Sequence, residues 1–168
     1  EDSQGDPKLA VSALQKLITV NKIFVTIGAL ASSDILAMAP VAESNKIVLL
    51  APSATAPAIT NAGDYIFRIA ASDVYEGSFM AEYALKDLNL ERVAVIYINN
   101  DYGLGLRETF GENYRELGGK IVEEQVFDQG ATDFRSQLTK LKNANPQGIY
   151  VVGYKEVRQL LTQAGELG

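Results

Sequence analysis

The sequence contains neither cysteine nor histidine among its 168 residues. Without these side chains the protein cannot supply a cysteine nucleophile, a histidine general base, a Ser-His-Asp triad or a soft-metal site. Most familiar hydrolase chemistry is therefore excluded, and we expect no metal and no other cofactor. The absence of cysteine does not indicate a compartment, because reduced cytosolic proteins and disulfide-free secreted proteins can both lack it.

A basic patch and a long apolar run are also missing. The chain has 15 Lys and Arg against 21 Asp and Glu, a net charge of −6, and the cations are scattered among the acids. Nucleic-acid binding depends on clustered cations, so we exclude it. The apolar runs, such as residues 47–52 and 148–153, are far shorter than the ~20 residues of a membrane span. With 47% hydrophobic residues, the chain can bury the core of one domain or of two small lobes.

Strand-like and helix-like segments alternate along the chain. Short apolar, β-branched runs indicate buried strands, and the segments between them carry apolar residues at helical spacing. Such alternation is typical of α/β proteins with a doubly wound, mostly parallel sheet and helices on both faces, and this is the predicted fold class. The predicted strands are 23–27, 47–50, 65–69, 92–98, 121–127 and 149–152, and the predicted helices are 7–18, 32–42, 73–88, 105–117, 133–143 and one from 156.

Several polar and aromatic residues follow the predicted strands. In parallel sheets, ligands bind beyond the carboxyl ends of the strands, so these residues are expected to converge on one crevice. A helix N-terminus there, with its free N–H groups, would suit a carboxylate or a phosphate. The candidates are Ser32, Ser33, Ser53, Thr55, Tyr102 and Tyr154.

Each candidate also has a purely structural interpretation. The pair Ser32 and Ser33 could be an ordinary helix N-cap, and Ser53 and Thr55 could serve a proline-flanked turn. The two tyrosines could be packing aromatics. It is the placement of all of them after strands that favours a ligand site.

Other motifs fail. The Gly103-Leu104-Gly105 sequence has Glu108 at the third glycine position of a dinucleotide fingerprint, and no phosphate-binding GxxxxGK[ST] loop occurs. Glu123 and Glu124 are adjacent on a predicted strand and point to opposite faces, so they are poor partners for acid–base catalysis. We interpret them as solvated surface.

Several segments together resemble a known family. IGALASSDILAMAPVAE, LLAPSATAPAIT, YIFRIAASD, RVAVIYINNDYGLGL and ATDFRSQLTKLKNANPQGIYVVGY occur in the order and spacing of the type I periplasmic solute-binding proteins, in the branch that serves Leu/Ile/Val ABC importers. The resemblance implies two α/β lobes joined by a hinge, with a ligand between them. Residues 1–70 would belong to lobe one and 71–168 to lobe two, with the crossover near 70–73.

The resemblance also implies roles for the candidates. The serine matching Ser32, with Ser33 beside it, and the hydroxyl matching Thr55 would hold an α-carboxylate. The loop of Ser53 and Ala54 would contribute backbone groups to the same head group. The tyrosine matching Tyr102, and a second near Tyr154, would contact the ligand from lobe two.

These similarities imply a non-catalytic protein. The expected function is an extracytoplasmic solute-binding protein, periplasmic or extracellular and with or without a lipid anchor. It would deliver a small amino acid, with the branched-chain type as the first choice, or a related carboxylate to an ABC-importer permease. A ligand-sensing domain of a receptor or regulator is the alternative, and an enzyme with a carboxylate dyad is the weakest hypothesis. Because family members are about twice as long, the chain is expected to be an internal segment that lacks the first strands of lobe one. Self-association through that incomplete lobe is also expected.

Overall fold

Helices and strands alternate through the whole chain, and the computed structural model describes residues 1–168. The helices are α1 (Pro7–Thr19), α2 (Ser32–Asn45), α3 (Asp73–Glu82), α4 (Asp101–Glu116), α5 (Arg135–Asn143) and α6 (Glu156–Leu167). The strands are β1 (Val25–Ile27), β2 (Val48–Ala51), β3 (Ile66–Arg68), β4 (Arg92–Ile98), β5 (Lys120–Phe127) and β6 (Gly148–Val152). The predicted order of elements is confirmed. None of the helices has both the length and the apolar character that a membrane crossing requires.

Many element boundaries differ from the predicted ones by a few residues. Helix α4 begins at Asp101 rather than 105, because the Asn100 side chain caps it by accepting a hydrogen bond from the Gly103 N–H at 3.0 Å. Helix α3 gives way to a π-helical segment, Tyr83–Asp87, before the predicted end at 88. A short 3₁₀ helix, Pro57–Asn61, follows β2 where only a loop was predicted.

Contacts divide the chain into two units, Glu1–Asp73 and Val74–Gly168, each with its own parallel sheet. In the first unit the strand order is β1-β2-β3. Helix α1 is capped by Asp6, whose carboxylate accepts from the Lys8 and Leu9 N–H groups, with proline at the first position. Helices α1 and α2 pack together and bury the face of β2 that carries Leu49.

The opposite face of the first sheet is apolar and uncovered. Parallel register places Ile27 beside Leu50, and Leu50 beside Phe67. Ile27 is 73% exposed and Phe67 is 51% exposed. Both long helices of this unit join the core on the Leu49 side, so within residues 1–168 no helix covers the opposite face.

In the second unit the strand order is β5-β4-β6, again all parallel. Successive residues of β4 point to opposite faces. One face, with Ile96, packs against α5 and α6, and the other, with Val95, packs against α3 and α4. Both faces are covered, so the doubly wound arrangement is confirmed here.

Glu124 is not the solvated side chain that the sequence suggested. On β5 it accepts hydrogen bonds from Arg107 and Arg115 of α4, the latter at 2.7 Å. The Glu124 side chain is only 21% exposed. Two guanidinium groups therefore offset the charge of this carboxylate.

Candidate functional site

Ser32 lies at the start of α2 but does not cap it. The N-cap is Ala31, which has no side chain able to accept a hydrogen bond, so the N-cap interpretation is wrong for Ser32. The Ser32 side chain is buried, and its Oγ accepts a hydrogen bond from the backbone N–H of Ala56 at 3.2 Å. The hydroxyl hydrogen is not used in that bond and can still be donated. Ser33 follows in the same helical turn and is half-buried.

The loop after β2 is fixed against the loop after β1. The Ser53 hydroxyl donates to the Leu30 carbonyl at 3.1 Å, and Ala54 is buried beside it. Thr55 is half-buried, and its hydroxyl makes no hydrogen bond to any of residues 1–168. The Ser32 hydroxyl, at the start of α2, and the Thr55 hydroxyl, in the loop after β2, therefore lie at the carboxyl edge of one sheet, and both can donate to a ligand.

The sequence reasoning missed Arg68, the last residue of β3. Its guanidinium Nη1 donates to the carbonyls of Thr55 at 3.1 Å and Ala56 at 2.9 Å, and its Nη2 donates to the Thr60 hydroxyl at 2.6 Å. A signal existed, because a cation is the next-to-last residue of a predicted strand whose carboxyl end lies at the same edge as the other candidates.

Asp34 was also missed. It is buried in α2, where its Oδ2 accepts from the Ser3 hydroxyl at 2.7 Å while its Oδ1 has no hydrogen-bond partner. Burial raises the pKa of the Asp34 carboxyl, the Ser3 hydrogen bond opposes that shift, and the nearby Asp6 charge adds to it. The residue borders a cavity of about 660 Å³ that is enclosed in part by residues 1–5 and by the loop after β1.

In the second unit the two predicted tyrosines lie together. Tyr102 is in the first turn of α4, and Tyr154 follows β6. Their rings stack with centroids 5.2 Å apart and planes 13° from parallel. Gly103 allows α4 to approach β4 closely, because a side chain there would overlap the Ile98 carbonyl oxygen. The stacked pair presents a partly exposed aromatic surface.

The two sets of residues have binding rather than catalytic chemistry. Hydroxyl donors beside a helix N-terminus suit an anionic head group, and stacked rings suit an apolar or planar group. No group of three or more carboxylate side chains within residues 1–168 is arranged to hold a metal ion. The fold and these residues together define an α/β protein whose candidate residues suit the binding of a small anionic or planar group.

Comparison with known proteins agrees with this class. The periplasmic binding protein family profile matches residues 1–168, and the chain belongs to this family of non-enzymatic solute-binding proteins. A Leu/Ile/Val-binding protein homolog from Brucella melitensis is 31% identical over 163 residues, which are 96% of this chain and 44% of the relative. The chain thus spans less than half the length of this relative.

Solved structures give the same picture. A leucine-binding protein from Thermotoga maritima superposes with a TM-score of 0.95 at 34% identity, covering 99% of this chain and 48% of that one. A branched-chain amino acid substrate-binding protein from Streptococcus pneumoniae, solved with isoleucine, gives 0.88 at 30% identity and covers 100% of this chain and 48% of that one. The fold class and the family resemblance are thereby confirmed.

Proposed function

We propose that the protein is the solute-binding component of an ABC importer and that it binds a small amino acid of the branched-chain type or a related carboxylate. The observation that carries this proposal is the pair of hydroxyls, Ser32 and Thr55, joined through Ala56 at the carboxyl edge of the first sheet. The relatives named for leucine, isoleucine and valine support the choice of ligand. The protein works outside the cytoplasm and delivers its ligand to a membrane permease.

The proposal gives each candidate residue a role. Ser32 and Thr55 donate their hydroxyl hydrogens to the ligand carboxylate, and Ser33 contributes from the same helical turn. The loop of Ser53 and Ala54 contributes backbone groups. The stacked pair Tyr102 and Tyr154 offers an aromatic surface for ligand contact. The two contact-defined units correspond to two lobes, with the hinge near residues 70–73.

The test is the effect of Thr55→Ala on the affinity of the full-length protein for L-leucine, measured by calorimetric titration. Loss of one hydrogen bond to a charged group costs about 1.5–3 kcal/mol, so we expect affinity to fall roughly 10- to 150-fold. Ser44→Ala is the matched control, because Ser44 lies at the other end of α2 and bonds only locally. Equal affinity of Thr55→Ala and wild type would remove Thr55 from the site.

A further inference from the structure

Arg68 lies where the loop that carries Thr55 leaves the sheet. Parallel register places Arg68 beside Ala51, the last residue of β2. Its side chain therefore starts at the carboxyl edge and reaches the loop after β2 without crossing the sheet. All three of the acceptors described above are neutral oxygens, two carbonyls and one hydroxyl.

Arg68 completes a set of hydrogen bonds around two peptide units. The Thr55 carbonyl accepts from Arg68 and also from the Asp73 N–H at 3.0 Å. The Ala56 carbonyl accepts from Arg68 and from the Ile59 N–H at 3.1 Å, while the Ala56 N–H donates to Ser32. These contacts restrain the backbone on both sides of the Thr55 hydroxyl. The loop is thus held by bonds that leave that hydroxyl unused.

The geometry needs a planar, multiply donating cation. Nη1 bonds two successive carbonyls while Nη2 bonds Thr60, and a guanidinium holds its donors in a rigid fork. Hydrogen bonds from a charged donor are shorter and stronger than neutral ones. A lysine ammonium carries the same charge on a single nitrogen, so it cannot reproduce the fork.

We propose that Arg68 is a positioning residue for ligand binding, which fixes the Thr55 and Ala56 peptide units so that the hydroxyls of Thr55 and Ser32 converge on one carboxylate. The ligand part of this inference rests on the proposed function. The positioning part stands on the hydrogen bonds alone, so it has a readout that needs no ligand.

The first arm of the test is amide hydrogen exchange in full-length Arg68→Met and Arg68→Lys. In Arg68→Met the Ala56 and Asp73 amides should exchange at least about tenfold faster than in wild type, because their partners lose their fixed geometry. The control amides are Gly28 and Leu49, which donate to Leu50 and Tyr65 within the same sheet and should keep their rates. A purely structural role would instead accelerate all four amides together.

The second arm is titration with L-leucine. Arg68→Met should lower affinity about tenfold or more, and Arg68→Lys should recover part of the loss. Combining Arg68→Met with Thr55→Ala should lower affinity by less than the product of the two separate effects, because both act on one contact. Thr60→Val, which removes a single peripheral acceptor, provides a milder variant and should accelerate the same two amides to a smaller degree.

The outcomes separate the two proposals. If wild type binds none of L-leucine, L-isoleucine, L-valine and benzoate, the proposed function fails. The exchange of the Ala56 and Asp73 amides alone then decides the role of Arg68. If wild type binds but Arg68→Met keeps both its affinity and its exchange rates, the positioning role is wrong. The positioning role would also be wrong if the loss of affinity in the Arg68→Met, Thr55→Ala double variant equalled the product of the two separate losses. Should Arg68→Met not fold, Arg68→Lys and Thr60→Val decide the question by the same two readouts.

Discussion

The two units share one pattern of alternating strands and helices but differ in how they cover their sheets. In the second unit Val95 and Ile96, neighbours on β4, are both fully buried, on opposite faces. In the first unit Leu49 is fully buried while its neighbour Leu50 lies on the uncovered face between Ile27 and Phe67. A parallel sheet normally needs cover on both faces. Within residues 1–168, helices therefore cover both faces of the second sheet and one face of the first.

Separating the two units tests their difference in sheet coverage with the largest expected effect. We expect the fragment of residues 74–168 to unfold cooperatively in urea, because helices cover both faces of its sheet. The fragment of residues 1–73 should show no cooperative transition, because burying one face leaves too little apolar area removed from water to offset chain entropy. Circular dichroism of both fragments against urea concentration measures this.

A cooperative transition of similar midpoint in both fragments would contradict the account. The chain of residues 1–168 is the reference, because the urea transition of the 74–168 fragment should also be seen in its unfolding curve.

Single side-chain truncations on β2 and β4 should have smaller effects on stability, and they test each face of the two sheets separately. Leu49→Ala should lower the free energy of unfolding of the 168-residue chain by about 2–5 kcal/mol, as for other buried leucines. Leu50→Ala should cost much less, because its surroundings on the uncovered face can relax around the smaller side chain. On β4, Val95→Ala and Ile96→Ala should both be costly. Urea unfolding of the four variants gives the comparison.

The four variants test coverage face by face. Equal losses for Leu49→Ala and Leu50→Ala would show that both faces of the first sheet are packed alike, which the account excludes.

The smallest expected effect concerns Asp34, the buried carboxyl of the first unit. Its pKa is raised in the fold, so between pH about 4 and that raised pKa the folded chain binds more protons than the unfolded chain. The free energy of unfolding therefore falls as pH rises through this window, and the loss is complete above it. Asp34→Asn should be slightly more stable than wild type at pH 7, and this gain should disappear below about pH 3.5.

Thermal unfolding from pH 3 to pH 8 measures that difference. Asp64→Asn is the control, because it makes the same side-chain change at an exposed position. A gain for Asp34→Asn that stays constant with pH would contradict the burial argument.

The sequence predicted what depends on local pattern. Periodicity located all twelve helices and strands, and their order placed Ser32 and Thr55 at one edge of a sheet. It could not show that Ser32 bonds Ala56, because that contact joins loops 24 residues apart. It also missed Arg68, whose importance depends on where its guanidinium reaches rather than on its neighbours in sequence. The uncovered face of the first sheet was equally hidden, since Ile27, Leu50 and Phe67 look like ordinary strand residues.

Thermal unfolding of the full-length protein is the most direct test of whether it binds a small amino acid carboxylate. The Tm is measured without ligand and with L-leucine, L-isoleucine, L-valine, benzoate or urea. A ligand at about 100 times its Kd adds about 2.7 kcal/mol of stability, or several degrees of Tm. We expect a selective rise in Tm with one or more of the three branched-chain amino acids. A cooperatively unfolding protein whose Tm none of these compounds changes would contradict it.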